Sequence, residues 1–266
     1  MYTFSHEHIV YLKKLKRKNR IVFLGRIAIV LCFLMIWELL AHFSFLNTFL
    51  YSSPSRIIKT IHSLLLKGIL WKSIGITLYE VIISFSLTSI MGILIAYALW
   101  RFDTLSRIID PYITILNSLP KVALGPLIII WSGANINSII IMALLISIFT
   151  TILHIYTGFI SVPNHYILLL KSFKANSLQV FFKLILPYNL ETIIATLKTN
   201  ISLSFIGVIM GELLVSKNGL GYLIMYGSQV FQLDLVISSI FILGILAYLF
   251  YFLIDSFLVF IQRKRN

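Results

Sequence analysis

Apolar runs separated by short polar breaks occupy most of the chain. Six stand out, at residues 26–45, 74–100, 112–131, 136–155, 192–215 and 235–261. Each is close to or above the roughly 20 residues a helix needs to cross a bilayer. The pattern predicts an all-α integral membrane protein with six transmembrane helices.

The fourth and fifth runs are separated by a polar interruption, SFKANSLQVFFKLILPYNLET, residues 172–192. Within it Leu178, Phe181, Phe182 and Ile185 recur at helical spacing, with Asn176 or Ser177 as the cap. Such a helix presents Phe181 and Phe182 as a small apolar face, with Lys174 and Lys183 near its ends. Aromatic anchors in a polar rim suit a protein–protein contact. A helix lying in the lipid headgroup layer fits the same residues equally well.

The third run is irregular. Pro111, Pro120 and Pro126 punctuate it, with Asn117, Ser118 and Lys121 between them. Asp110–Pro111 reads as a helix start, because a missing amide hydrogen is harmless at the first helical position. Pro120 and Pro126 then break or kink the rest of the run. Freed backbone groups need protein or water around them at membrane depth, so Asn117, Ser118, Pro120 and Lys121 are expected to line an interior pathway. A packed proline kink is the competing reading.

Composition narrows the class. The chain is 59% hydrophobic and 12% charged, too little charge for the surface of a soluble domain. Its net charge of +13 invites a nucleic-acid reading. That reading fails, because Lys and Arg in membrane proteins report orientation before ligands. With both termini in the cytoplasm, fourteen basic residues of the tails and loops fall inside and five outside, Arg26 and Lys198 and the intraspan Lys121 being left out. The expected organisation is a basic cytoplasmic tail at 1–20, a six-span domain at 21–261 and a second basic tail at 262–266. A cytoplasmic loop is expected at about 160–190. The first residues lack the apolar core and cleavage site of a signal peptide. The single Cys32 lies in an apolar run and reads as inert packing.

Acidic residues are scarce. Glu38 and Glu80 are expected near the outer ends of the first two spans, snorkelling at little cost. Asp255 is expected near the inner end of the sixth, by the cluster Arg263 to Arg265. Glu212 stands late in an apolar span, where an ionisable group is a functional candidate by default. It is placed in the pathway, with the alternative that it only holds the turn from Gly211 to Gly221. Lys198 and Asn200 are assigned to inner headgroups. The six histidines are scattered, so no metal site, catalytic group or cofactor is expected. No Gly-Lys-Ser/Thr phosphate loop is present, so ATP hydrolysis is not expected in this chain.

Three further stretches carry a family resemblance, YSSPSRIIKTI at 51–61, DPYITILNSLPKVALGPLIIIWSG at 110–133 and GELLVSKNGLGYLI at 211–224. In order and spacing they resemble the membrane permease subunits of bacterial ATP-binding-cassette importers, in the branch handling nitrate, sulfonates, taurine and thiamine-precursor pyrimidines. The similarity runs from about Trp37 to the carboxyl terminus. Such permeases carry a cytoplasmic loop patterned Glu-Ala-Ala, three residues, Gly, nine residues, Ile-x-Leu-Pro. Aligned on Leu186 and Pro187, the Gly position holds Lys174, the Ile position Leu184, and the Glu-Ala-Ala positions Leu168, Leu169 and Leu170. The front of the loop is therefore degenerate, which questions the turn at Lys174, where Gly would adopt positive φ cheaply.

The resemblance implies a coupling loop of Lys174, Ala175, Asn176, Ser177, Phe181, Phe182, Leu186 and Pro187 that docks on a separate ATPase. It also implies a permease homodimer in the inner membrane, contacting lipid and fed by an extracytoplasmic binding protein. The passenger would be a small anionic or heterocyclic solute. The rival classes are a secondary transporter or channel without an ATPase, and a membrane-bound assembly factor. Against a secondary transporter stand the absence of an internal repeat and of a chain of intramembrane carboxylates.

Overall fold

The computed structural model describes the backbone of residues 6–265, and the side chains of residues 14, 15 and 17–256. Among the basic tail residues, the side chains of Lys13, Lys16, Arg263, Lys264 and Arg265 lie outside the described residues. The described chain is helical throughout, with α1 (His6–His42), α2 (Thr48–Tyr51), α3 (Pro54–Leu66), α4 (Ile69–Arg101) and α5 (Asp103–Ser118) first. A 3-10 turn (Lys121–Leu124) leads into α6 (Gly125–Ser132), α7 (Ile136–Ile160) and α8 (Asn164–Ser172). Then come α9 (Ser177–Val180), a π turn (Phe181–Ile185), α10 (Leu186–Tyr188), α11 (Leu190–Val215), α12 (Leu220–Gln229) and α13 (Leu233–Arg265). Five helices are long and apolar enough to cross a membrane, and the bent pair α5 with Lys121–Ser132 makes a sixth if it counts as one span.

The chain divides after Ser63 into two compact units. In the first, none of the most apolar window of α1 is buried, a surface for lipid or another chain to cover. Cys32 is exposed on it rather than packed. Glu38 does not simply snorkel. Its Oε2 accepts the Ser55 backbone N–H at 3.0 Å, and with Ser53 Oγ, which accepts the Arg56 N–H at 3.4 Å, it caps the first turn of α3 behind Pro54.

The second unit is organised on α7, which packs against both α4 and α11. Apolar helices gain nothing from burial against one another in lipid, so close approach and polar bridges must hold them. Both devices are present. Gly207 of α11 lies on the backbone of Ala143, Gly211 on Ile139, and Gly92 of α4 on Thr151. Across α4 and α7, Thr88 and Ser147 share a hydrogen bond of 3.0 Å. Across α4 and α11, Asn200 Nδ2 donates to Ser89 Oγ at 2.8 Å, so Asn200 braces the helices instead of meeting headgroups.

The start of the third run differs from expectation. Pro111 lies inside α5, and the helix begins at Asp103. Asp103 lies in the helix's positive first turn and pairs with Arg107 at 2.9 Å. An interior proline leaves the carbonyl four residues back without its usual donor. Here that is Arg107, whose side chain is 79% exposed, so the defect faces outward. The break at Pro120 is real, and the two halves meet at 86°.

Candidate functional site

The segment between α7 and α11 builds itself locally. α8 ends in a Schellman motif, with Ala175 N–H donating to Leu170 O at 3.1 Å and Lys174 N–H to Lys171 O at 2.9 Å. This closure requires a left-handed residue, and Lys174 adopts φ +58°. The turn is thus kept where the resemblance expected glycine, at a cost of about 1 kcal/mol for a residue with a Cβ. Asn176 then caps the next helix, accepting from Gln179 N–H at 2.8 Å, while Gln179 Oε1 accepts from Asn176 N–H at 2.9 Å. This reciprocal pair satisfies two donors that would otherwise be orphaned.

The two phenylalanines separate. Phe181 is 5% exposed, with its ring 4.5 Å from that of Tyr97, 5.3 Å from Phe159 and 5.5 Å from Trp100. It joins a cluster with Ala96 of α4, Ile155 and Phe159 of α7, and Ile193 of α11. Phe182 is 62% exposed and Leu178 55%. The expected Phe181–Phe182 face is therefore corrected: the outward apolar pair is Leu178 and Phe182, rimmed by exposed Lys174, Gln179 and Lys183. Neighbouring residues stand about 100° apart around a helix, so the bundle takes Phe181 and leaves Phe182 outside. A π turn follows at Phe181–Ile185, where Leu186 N–H reaches back to Phe181 O. Leu186 and Pro187 continue the helix directly.

At the bend of the third run, Lys121 Nζ donates to Asn117 Oδ1 at 3.0 Å and to Ile146 O at 3.4 Å. Thr150 Oγ1 donates to the same Asn117 oxygen at 2.9 Å. Ser118 and Pro120 are exposed beside them, with the Ser118 hydroxyl turned onto Thr114 O at 3.0 Å. The structure thus brings Asn117, Ser118, Pro120 and Lys121 together.

Glu212 stands apart from that group. It is 1% exposed, its Oε1 accepting from Thr77 Oγ1 at 2.6 Å and its Oε2 from Gly221 N–H at 2.5 Å. Thr77 Oγ1 in turn accepts from Leu220 N–H at 2.9 Å. Any Cβ at Gly221 would meet Glu212 Oε2 at 2.8 Å, and Gly219 has φ +104°. Two glycines and a carboxyl are thereby keyed together between α4, α11 and α12. Glu80, also 1% exposed, lies against Glu212. It does not snorkel, because α4 carries it inward, and it borders a cavity of about 350 Å³ with Asn135, Ser216 and Asn218. Lys198 turns to Asp255 of α13, forming an ion pair.

A groove of about 480 Å³ escaped the sequence reading. His154 and Thr157 of α7 and Ser161 just after it line the groove with Thr192, Thr196 and Thr199 of α11. The signal was present, since polar residues recur there at three- and four-residue spacing inside apolar runs. Among the described residues no cluster of three metal-ligating side chains occurs.

Known proteins agree with this architecture. The chain is 28% identical over 236 residues to a probable ABC transporter permease protein of Haemophilus influenzae, covering 89% of this chain and 96% of that one. It is 25% identical to the putative aliphatic sulfonates transport permease SsuC of Bacillus subtilis, over 86% and 82% of the two chains. The formylaminopyrimidine transport permease ThiX of Halalkalibacterium halodurans is 28% identical, over 82% and 87%. Among solved structures, an inward-facing MetNI methionine ABC transporter superposes with a TM-score of 0.59 at 17% identity, covering 74% of this chain and 96% of that one. The family model described as binding-protein-dependent transport system inner membrane component matches residues 88–266, two thirds of the sequence, and the chain belongs to that family.

Proposed function

We propose that two copies of this permease form the pathway of an ATP-driven importer. An ATPase subunit binds the segment from Asn176 to Tyr188, and an extracytoplasmic binding protein delivers a small anionic or heterocyclic solute. Relatives named for sulfonates and formylaminopyrimidine support those two solute classes. The observation that carries the reading is the two-sided helix itself. Its outer side offers Leu178 and Phe182, while Phe181 and Ile185 on its inner side are keyed among residues of α4, α7 and α11. Displacement of the docked helix therefore reaches all three central helices at once, flipping the pathway from inward-open to outward-open.

Docking is tested by the amount of ATPase retained per permease in detergent. Phe182→Ala should insert normally yet lose the ATPase, since truncating an interface anchor costs about 2 kcal/mol or more. Phe181→Ala should instead lower thermal stability, by about 3–5 kcal/mol for a buried phenylalanine. Equal retention in wild type and Phe182→Ala sinks the docking role.

The same reading places both termini and this segment in the cytoplasm. With Cys32→Ser as background, Lys174→Cys should label only after the inner face is opened. Lys67→Cys and Lys217→Cys should label in intact cells. Labelling of position 174 from outside overturns the orientation.

A further inference from the structure

Two lysines lie within the apolar runs, and the fold treats them differently. Lys198 is neutralised by Asp255 and lies 5.1 Å from the Tyr251 ring centroid. Lys121 has only neutral partners: Asn117 Oδ1, Ile146 O and, at 5.7 Å, the Phe149 ring. Among the described residues no carboxylate comes within ion-pair distance of it. Lys121 is half-buried, and no opposite charge offsets its desolvation, whereas Asp255 offsets it at Lys198. A packed brace needs no charge at this position.

The donors at the site converge. An ammonium carries three N–H groups, and protein acceptors take two of them. Asn117 Oδ1 is fixed by Lys121 and Thr150 together, which leaves its Nδ2 group to donate elsewhere. The backbone breaks at Leu119–Pro120, where the two half-helices meet at 86°. Broken helices at membrane depth are tolerated where they border protein or a water-filled passage, and such breaks are where transporters place solute sites.

We propose that Lys121 and Asn117 form an anion-binding site in the pathway, taking the carboxylate, sulfonate or similar oxyanion head of the solute. The inference rests on the permease-pathway reading above and selects the anionic class from the two named there.

The test uses the permease assembled with its ATPase, with Cys32→Ser as background and Ser118→Cys as the reporter. Ser118 is exposed and its hydroxyl serves only its own helix. Modification rates are measured with a sulfonatoethyl and a trimethylammonioethyl methanethiosulfonate. The anionic reagent should react faster, and Lys121→Gln should lower the anionic-to-cationic rate ratio about tenfold, as removal of one nearby charge at an intermediate dielectric implies. Lys121→Arg should keep the ratio. Methanesulfonate should slow the anionic reagent with Lys121 present and lose that effect in Lys121→Gln. An unchanged ratio in Lys121→Gln overturns the anion site while leaving the pathway standing. A reporter inert to both reagents in every nucleotide state overturns the pathway and the site together.

Discussion

Gly207→Val is expected to prevent the permease from folding, with loss of monodisperse protein on extraction from the membrane. Gly207 faces Ala143 so closely that an added Cβ would overlap the Ala143 backbone and approach its Cβ to 2.9 Å. Backbone cannot swing aside as a side chain can. The α7–α11 contact would have to open along its length, and α7 also carries α4. Overpacking costs about 1–3 kcal/mol even where neighbours can adjust, and here they cannot. Gly75 and Gly244 provide the control, since nothing lies within 4 Å of a Cβ at either. Alanine there should be neutral, or stabilising by up to about 1 kcal/mol. A Gly207→Val protein that extracts and melts like wild type would contradict the packing described for α7 and α11.

Glu212→Ala should have the next largest effect. It strips the acceptor from Gly221 N–H and from the Thr77 hydroxyl, both buried. Each orphaned group costs about 1–3 kcal/mol, and the vacated volume adds to this. Thermal unfolding in detergent should fall by about 10 °C, taking about 2–4 °C per kcal/mol for a chain of this size. Thr77→Val should also destabilise, since it orphans Leu220 N–H. Because the two residues share one network, Glu212→Ala with Thr77→Val should cost less than the sum of the single changes. Strict additivity would show that the carboxyl and the hydroxyl act independently, against the arrangement seen.

The spans were legible because lipid imposes length and apolarity on every crossing helix, and the sequence displays both. The break after Leu119 was legible from Pro120, since proline acts on its own neighbours. Pro111 was misread as a start because Asp103 and Arg107, seven and three residues before Asp110, already support the helix. The polar contacts were not legible. Glu80 and Glu212 are separated by about half of the chain, as are Thr77 and Glu212, 135 residues apart. Lys198 and Asp255 are 57 apart, and no local pattern announces such a partner. Phe181 and Phe182 are adjacent and so about 100° apart around the helix, and which of them is buried is decided by where α4 and α7 lie. Asn176 as cap, by contrast, depends only on residues three positions away, and short-range chemistry of that kind is what a sequence states openly.

That π turn makes the position of an added or lost residue matter in the segment between α7 and α11. A π turn holds one residue more than the α turn it replaces. Each completes about one revolution, so the extra residue is absorbed inside the turn and the helix on either side keeps its bearing. Removing Lys183, the one polar residue among 181–185, lets the chain close toward continuous α-helix, with Leu178 still facing as it does now relative to Leu186 and Pro187. Between residues 177 and 180 there is no such slack. A residue added or lost there is worth about 100° of rotation, and a partner shaped for Leu178 would meet Gln179 instead. The same one-residue change is thus absorbed inside the turn and redirects the outer face just before it.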